Sequence, residues 1–415
     1  MSETKTYSFN KSLELFRRAG KVIPQGIYGH MTPALVVPGS YPYYAVRGQG
    51  CRYWDVDGNE FIDYMCGYGP MVLGYGHPKV EEAVAAQKAK GNCFNHPSER
   101  MVELAELLVD TIPMADWAVF AKNGSDMTTW ATQVAREYTQ RKKIVMVKGT
   151  YHGAHAWCTP GHGGIIDEDR IHIHSFTWNR ADQLEDLVNQ YKGQIAGVIM
   201  TPYHHPTFGD SVLPAPGFWN KVQQICNREG IVLIIDDVRA GWRLDIRGSH
   251  EYFGFTPDLV TFCKAMGNTY PISATVGKKE LMNAASKVFL TGSYWNSAVP
   301  MAAAIATIKA LKEEAGVQKM MEMGKLLCDG LIERGKAYGY EIIASGPYTI
   351  PFYRFGIEDD FYRQQVWCSE VTKRGSFFHP HHNWFISAAH DKKDIAMTLD
   401  HAEAAFKVVK AQFGD

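Results

Sequence analysis

The chain has 415 residues, a formal net charge of −1, 46% hydrophobic residues and 21% charged residues. That length can bury a large core and accommodates one large domain with a smaller companion. Near-neutrality gives no electrostatic basis for nucleic acid or an anionic membrane surface as a partner, and no run of about 18 apolar residues is available to span a bilayer.

The opening residues, MSETKTYSFNKSLELF, lack the apolar stretch of a signal peptide. The eight cysteines, at 51, 66, 93, 158, 226, 263, 328 and 368, form no Cys-x-x-Cys pair and no disulfide-like framework. They read as reduced thiols of a cytoplasmic protein. A short helix is predicted over 11–19, followed by a Gly/Pro-punctuated stretch to Pro42. From Tyr43 to Tyr64 the segments YYAVR, CRYWDV and EFIDYM, with a turn at Asp57-Gly58-Asn59, read as a small antiparallel sheet. After Pro78, helices alternate with the apolar runs 117–121, 143–147, 196–200, 231–235 and 259–263. Such near-continuous apolar runs are expected of strands covered on both faces, as in a parallel α/β sheet. From about Gly316 a long helix, the strands 340–344 and 350–355, and a closing helix over 392–412 are expected. The predicted organisation is an N-terminal arm with part of a small α+β domain over 1–70, a large α/β domain over 71–315, and the rest of the small domain over 316–415.

Four segments carry the chemistry. Asp236 ends the apolar run 231–235, and ligands of open α/β sheets sit at the carboxyl ends of strands. A carboxylate there also serves as a helix cap or structural ion-pair partner. Lys264 follows the next run, Leu259–Cys263. A strand-end lysine is ordinarily a solvated one, but in a buried setting its pKa falls and the neutral amine forms Schiff bases. Pyridoxal-phosphate chemistry needs such a lysine, and a carboxylate on the pyridinium nitrogen to keep the ring an electron sink. Gly124-Ser125-Asp126 precedes residues with helical apolar spacing, Met127, Trp130, Ala131, Val134, Ala135 and Tyr138. A small-residue turn opening a helix is an anion site as well as an ordinary cap. Tyr151-His152-Gly153 follows the run 143–147, where an aromatic ring either stacks on a flat cofactor or packs its own loop.

These segments occur in an order and spacing that resembles the class-III aminotransferases, nearest to the glutamate-1-semialdehyde aminomutase branch. The resemblance spans nearly the whole chain, through YWDVDGNEFIDYMCGYGPMVLGYGHP (53–78), KNGSDMTTWATQVAREYTQRKKI (122–144), TYHGAH (150–155), IIDDVRAGWR (234–243), PDLVTFCKAMGNTYPISATVG (257–277) and WFISAAH (384–390). It implies fold type I of the pyridoxal-phosphate (PLP) enzymes and a homodimer with shared active sites. It also implies Lys264 as the Schiff-base lysine and Asp236 as partner of the pyridine nitrogen. Val238 and Tyr151 would cover the two ring faces, and Gly124 and Ser125 would hold the phosphate. Ser293 stands where a threonine of the neighbouring subunit touches that phosphate in the family.

The substrate side departs from the aminomutase. Thr32 stands in place of its carboxylate-binding arginine, and His382 lies nearest the place of its glutamate. Thr201-Pro202-Tyr203-His204-His205-Pro206 lacks the asparagine that contacts the cofactor's phenolic oxygen, leaving His204 or His205 to replace it. Arg239 and Arg354 remain as other routes to a substrate carboxylate. Tyr28, Tyr68 and His382 are the candidate substrate contacts, in surroundings rich in His and aromatic residues. No metal-ligand spacing of His or Cys accompanies them, so no metal is expected. The resulting expectation is an aminotransferase moving an amino group between an amino compound and a carbonyl acceptor. An aminomutase or a racemase would use the same scaffold, and a non-catalytic PLP-binding protein is the remaining alternative.

Overall fold

The computed structural model describes residues 7–31, 36–37, 39–206, 208–356, 358 and 360–414. Thr32 lies outside the described residues. The chain forms two compact units, one of residues 78–207 and 211–317, the other of residues 1–77, 208–210 and 318–415.

The larger unit is built on a seven-stranded sheet. In chain order its strands are β1 (Trp117–Ala121), β2 (Lys143–Val147), β3 (Ile173–Phe176), β4 (Ile195–Met200), β5 (Val232–Asp236), β6 (Leu259–Phe262) and β7 (Ser273–Gly277). Their spatial order is β1-β7-β6-β5-β4-β2-β3. β7 runs antiparallel to both β1 and β6, and the other neighbours pair in parallel. Every residue of β4, β5, β6 and β7 is buried, which explains their unbroken apolar or small-residue character. The helix Gly124–Thr139 lays Met127, Trp130, Ala131, Val134 and Ala135 against Ile199, Ile234 and Leu259 of the sheet.

Two of these strands escape the apolar-run signal for different reasons. β3, with sequence IHSF, is an edge strand buried fully only at Phe176, so it needs no apolar run. β7, SATVG, lies between β1 and β6, and its interior positions are taken by small residues; Thr275 donates its hydroxyl to Met127 Sδ at 3.3 Å.

The smaller unit draws on both ends of the chain. Strands Ala45–Gln49, Arg52–Asp55 and Glu60–Asp63 form an antiparallel meander, and Ser376–Phe377 adds in parallel beside Glu60–Asp63. The expected turn forms because Asp55 Oδ1 accepts from the backbone N–H of Asp57 (3.0 Å) and Asn59 (2.8 Å), an Asx-type turn. A second pair, Ile342–Ser345 with Phe352–Phe355, is antiparallel. The closing helix Lys392–Phe413 is capped by Asp391, whose side chain accepts from Lys393 N and Asp394 N. Among the described residues no helix is long and apolar enough to cross a membrane.

Candidate active site

Asp236 is the last residue of β5, and Lys264 lies just beyond β6. The two strands are parallel, with Asp236 paired opposite Thr261, so both side chains emerge at the carboxyl edge of the sheet, the ligand side of open α/β folds. Lys264 adopts a left-handed backbone, φ 45°, and opens the tight turn Lys264–Gly267. A non-glycine residue held there costs about 1–3 kcal/mol and is typical of functional positions. The amine is desolvated and lies near the Arg239 cation. These two effects outweigh the opposing Cys263 and Asp236 and draw its pKa down to about 7.

Asp236 is buried, and its two oxygens are separately held. Oδ1 accepts from Val238 N at 3.2 Å, and Oδ2 lies 2.8 Å from His152 Nδ1. On the other side of the imidazole, Nε2 lies 3.1 Å from Thr150 Oγ1, whose own proton goes to Val147 O at 2.6 Å. The imidazole is thus held between the threonine hydroxyl and the carboxylate.

The phosphate-like cradle forms at the start of the helix Gly124–Thr139. Asp126 Oδ2 accepts from Asn123 N at 2.9 Å and closes the cap. Ser125 Oγ accepts from Ala154 N at 3.0 Å, and Thr128 Oγ1 donates to His152 O at 2.6 Å, so the loop after β2 is fastened onto this helix end. Two glycines permit the approach. A Cβ at Gly153, where φ is +133°, would fall 2.5 Å from Ser125 Oγ, and one at Gly124 would fall 2.9 Å from Val238 Cγ1.

Gly124, Ser125, Tyr151, Asp236, Val238 and Lys264 are thus gathered in the larger unit. Tyr151 is 42% exposed. Burial of the rest of its ring, with Cys158 and the Asp236 charge nearby, raises its phenol pKa, and Arg239 opposes the rise. Ser293 is exposed on the turn before the helix Ala298–Glu313. In the smaller unit Tyr68 donates to His30 O at 3.2 Å and meets the rings of His30 (4.4 Å) and His382 (5.3 Å) edge-on. Tyr28 is exposed. Arg354 forks onto Asp210 at 2.8–3.1 Å within the smaller unit, whereas Arg239 bears on Lys264 in the larger one. No group of three or more His, Cys, Asp or Glu among the described residues is placed to hold a metal ion.

Sequence reasoning missed His152 as the carboxylate's partner. It stands inside the segment read for Tyr151, but its partner is 84 residues away on another strand. The adjacent histidines are also told apart. His204 stacks on Trp178 with ring centroids 5.9 Å apart, while His205 is buried with the Arg239 and Lys264 charges bearing on it.

A helix N-terminus cradled by glycines, a buried and doubly anchored carboxylate, and a desolvated amine on the same sheet edge fit the phosphate, ring nitrogen and aldehyde of pyridoxal 5′-phosphate. The profile of the family "Aminotransferase class-III" matches residues 37–345. The aminopentol aminotransferase of Sphingopyxis macrogoltabida is 41% identical over 96% of this chain and 94% of its own. The glutamate-1-semialdehyde 2,1-aminomutase of Syntrophobacter fumaroxidans is 31% identical over 97% and 98%. The PLP internal aldimine form of the FumI protein of Sphingopyxis sp. MTA144 superposes with a TM-score of 0.96 at 40% identity, covering 98% of each chain. The sheet, the site and the relatives agree: the chain belongs to the class-III aminotransferases, PLP-dependent enzymes of fold type I.

Proposed function

We propose that this aminotransferase carries its cofactor on Lys264 as a Schiff base and works on an amino compound that is bulkier or less acidic than glutamate-1-semialdehyde. The observation that carries the first part is the placement of Lys264 and Asp236 at the carboxyl ends of two adjacent parallel strands. Pyridoxal 5′-phosphate, bound there, supplies an electron sink for the pair left when a substrate Cα–H bond breaks. Lys264 would hold the cofactor and, once freed from it, would take up and return the proton of the substrate carbon. Asp236 holds the proton on the ring nitrogen, and His152 fixes the orientation of that carboxylate. Val238 and Tyr151 cover the ring faces, and the Gly124-Ser125 helix end binds the phosphate. By resemblance, the protein is a homodimer in which Ser293 reaches the partner subunit's phosphate, and Tyr28, Tyr68 and His382 contact the substrate. Eight free cysteines support a cytoplasmic location.

The substrate reading rests on Thr32 and His382 standing where the aminomutase has an arginine and a glutamate, and on the relative that acts on an aminopentol, a polyhydroxylated amine. Losing a charge-assisted pair with its partner left buried costs on the order of 2–5 kcal/mol, roughly 30-fold to several thousand-fold in kcat/KM. The test is a panel of amino alcohols, aromatic and aliphatic amines and the semialdehyde, each with and without a keto acceptor. An amino donor alone is expected to bleach the cofactor's visible band, and the acceptor to restore it. If the semialdehyde is the best substrate and isomerises without a separate acceptor, the enzyme is an aminomutase. Exchange of the α-hydrogen without bleaching would identify a racemase.

A further inference from the structure

The opposite edge of the same sheet carries a cleft that the cofactor chemistry does not use. At the amino ends of the parallel neighbours β2 and β3, Arg136, Arg141, Lys142, Glu168, Asp169 and His172 line an open space of about 440 Å³, within the size range of small-molecule sites. Arg136 stands in the last turn of the helix Gly124–Thr139, and Arg141 and Lys142 lie in the link to β2. Cations near the carbonyl end of a helix are ordinary, and part of this set does serve the scaffold. Arg141 Nη1 donates to Ile195 O (3.1 Å), Glu229 O (2.9 Å) and Gly230 O (3.1 Å), and Arg136 Nε donates to Lys142 O at 2.9 Å. The terminal nitrogens of Arg136 and the Lys142 amine have no hydrogen-bond or ion-pair partner among the described residues. The second lining segment is the single turn Asp167–Asp169. It is fixed: Asp169 Oδ2 accepts from Ile166 N at 3.2 Å, and Arg170 donates from Nε to Ala156 O (3.1 Å) and from Nη2 to Thr159 O (2.6 Å) and Gly161 O (3.0 Å). No ion pair among the described residues joins Glu168 or Asp169 to the cations of the cleft. His172, just before β3, keeps its Nδ1 buried with no hydrogen-bond partner. Desolvation, and then the cations Lys143, Arg136 and Lys142, lower its pKa, so the ring is neutral. Opposite charges left apart at a surface contribute little to stability, and an unpaired buried nitrogen costs it. Together they form a set of partners for a ligand that has an anionic end and hydroxyl groups.

We propose that this cleft binds a phosphate ester of a polyhydroxylated molecule, its phosphate against Arg136, Lys142 and His172 and its hydroxyls against Glu168 and Asp169. Phosphate oxygens accept charge-assisted hydrogen bonds from a guanidinium and an ammonium. A carboxylate accepts from sugar hydroxyls, as it does from a ribose in dinucleotide sites. A bare dianion would meet Glu168 and Asp169 with no donor between like charges, so the hydroxyls are part of the proposal. Sugar phosphates and ribonucleotides share this chemistry.

The experiment is calorimetric titration of the holoenzyme, in which the cofactor fills its own phosphate cradle, with ribose 5-phosphate, AMP and inorganic phosphate. The variants are Arg136→Gln, Lys142→Gln and Glu168→Ala, with the exposed Lys221, outside the cleft, changed to Gln as control. Ribose 5-phosphate is expected to bind saturably at millimolar concentration or below, and more tightly than inorganic phosphate. Arg136→Gln and Lys142→Gln should each weaken it about 10-fold or more. Glu168→Ala should weaken it while leaving inorganic phosphate unchanged or bound more tightly, and Lys221→Gln should change neither. Lys142 is exposed and makes no bond that the fold needs, so its variant keeps the test open if Arg136→Gln fails to fold. AMP bound more tightly than ribose 5-phosphate supports the proposal with a ribonucleotide as the occupant; AMP bound more weakly or not at all supports it with a sugar phosphate. Saturable binding of neither ester overturns the proposal, as does binding that both Arg136→Gln and Lys142→Gln leave unaltered. Inorganic phosphate bound as tightly as both esters also overturns it, because the hydroxyls would then have no partner.

Discussion

His152 Nδ1 and Asp236 Oδ2 lie 2.8 Å apart in the interior of the larger unit, with Thr150 fixing the far side of the imidazole. The carboxylate proposed to face the cofactor's ring nitrogen is therefore held by a side chain from a different strand end. Asp236→Asn is expected to retain cofactor but lose on the order of 100-fold or more in kcat, because an amide cannot hold the ring charge in a site from which water is excluded. His152→Leu should lower kcat by a smaller factor and leave the cofactor's dissociation constant nearly unchanged. Equal loss of cofactor affinity and turnover in His152→Leu would show that the histidine only supports the fold.

The Lys264 amine, brought to a pKa of about 7 by desolvation and the Arg239 cation, predicts a pH dependence of cofactor capture by the apoenzyme. Only the neutral amine attacks an aldehyde, so the capture rate should rise as pH increases through about 7 and level off above it. An ordinary lysine would still be climbing towards pH 10. Stopped-flow absorbance at several pH values checks this. Lys264→Ala should bind the cofactor without the covalent spectral change and show no turnover.

Gly153 lets the loop after β2 pack closely on the helix end. A Cβ there would lie 2.5 Å from Ser125 Oγ on a backbone with φ +133°. Gly153→Ala should cost about 1–3 kcal/mol and weaken cofactor binding, because Ser125 must be displaced to make room. Thermal unfolding of the apoenzyme measures the first effect, and equilibrium titration with PLP measures the second. Unaltered values in both would mean that the loop yields without disturbing the cradle.

Ser293 is exposed within its own chain, and it is proposed to serve the site of a partner subunit. Mixed dimers of Lys264→Ala with Ser293→Asp test this. One site of each heterodimer carries both lesions and the other neither, so part of the activity lost in both parents should return. Proven subunit exchange with no recovery, or a monomer by light scattering, would exclude sharing.

Much of the sheet was readable because its signal is local. The runs 117–121 and 143–147 coincide with β1 and β2, and the closing helix begins where Asp391 caps it. Apolar runs, turn residues and caps act within a few residues of each other. Lys264 and Asp236 stood out for the same reason: each directly follows an apolar strand, and that position in a parallel sheet faces a ligand.

What the tertiary structure decided was pairing across strand ends. β7, made of small residues and running against its neighbours, carries no apolar run because its interior position leaves room only for short side chains. His152 became the partner of Asp236 only when the sheet order brought the end of β2 near that of β5, with β4 between them. His204 and His205 are adjacent in sequence and alike in chemistry, yet one stacks on Trp178 and the other is buried beside Arg239 and Lys264. Likewise Arg354 was committed to Asp210, leaving Arg239 as the arginine beside the lysine. The residue types were present in the sequence, but hydrogen bonds and charge pairs depend on distances of a few ångströms between segments far apart in the chain, and only the folded sheet sets those distances.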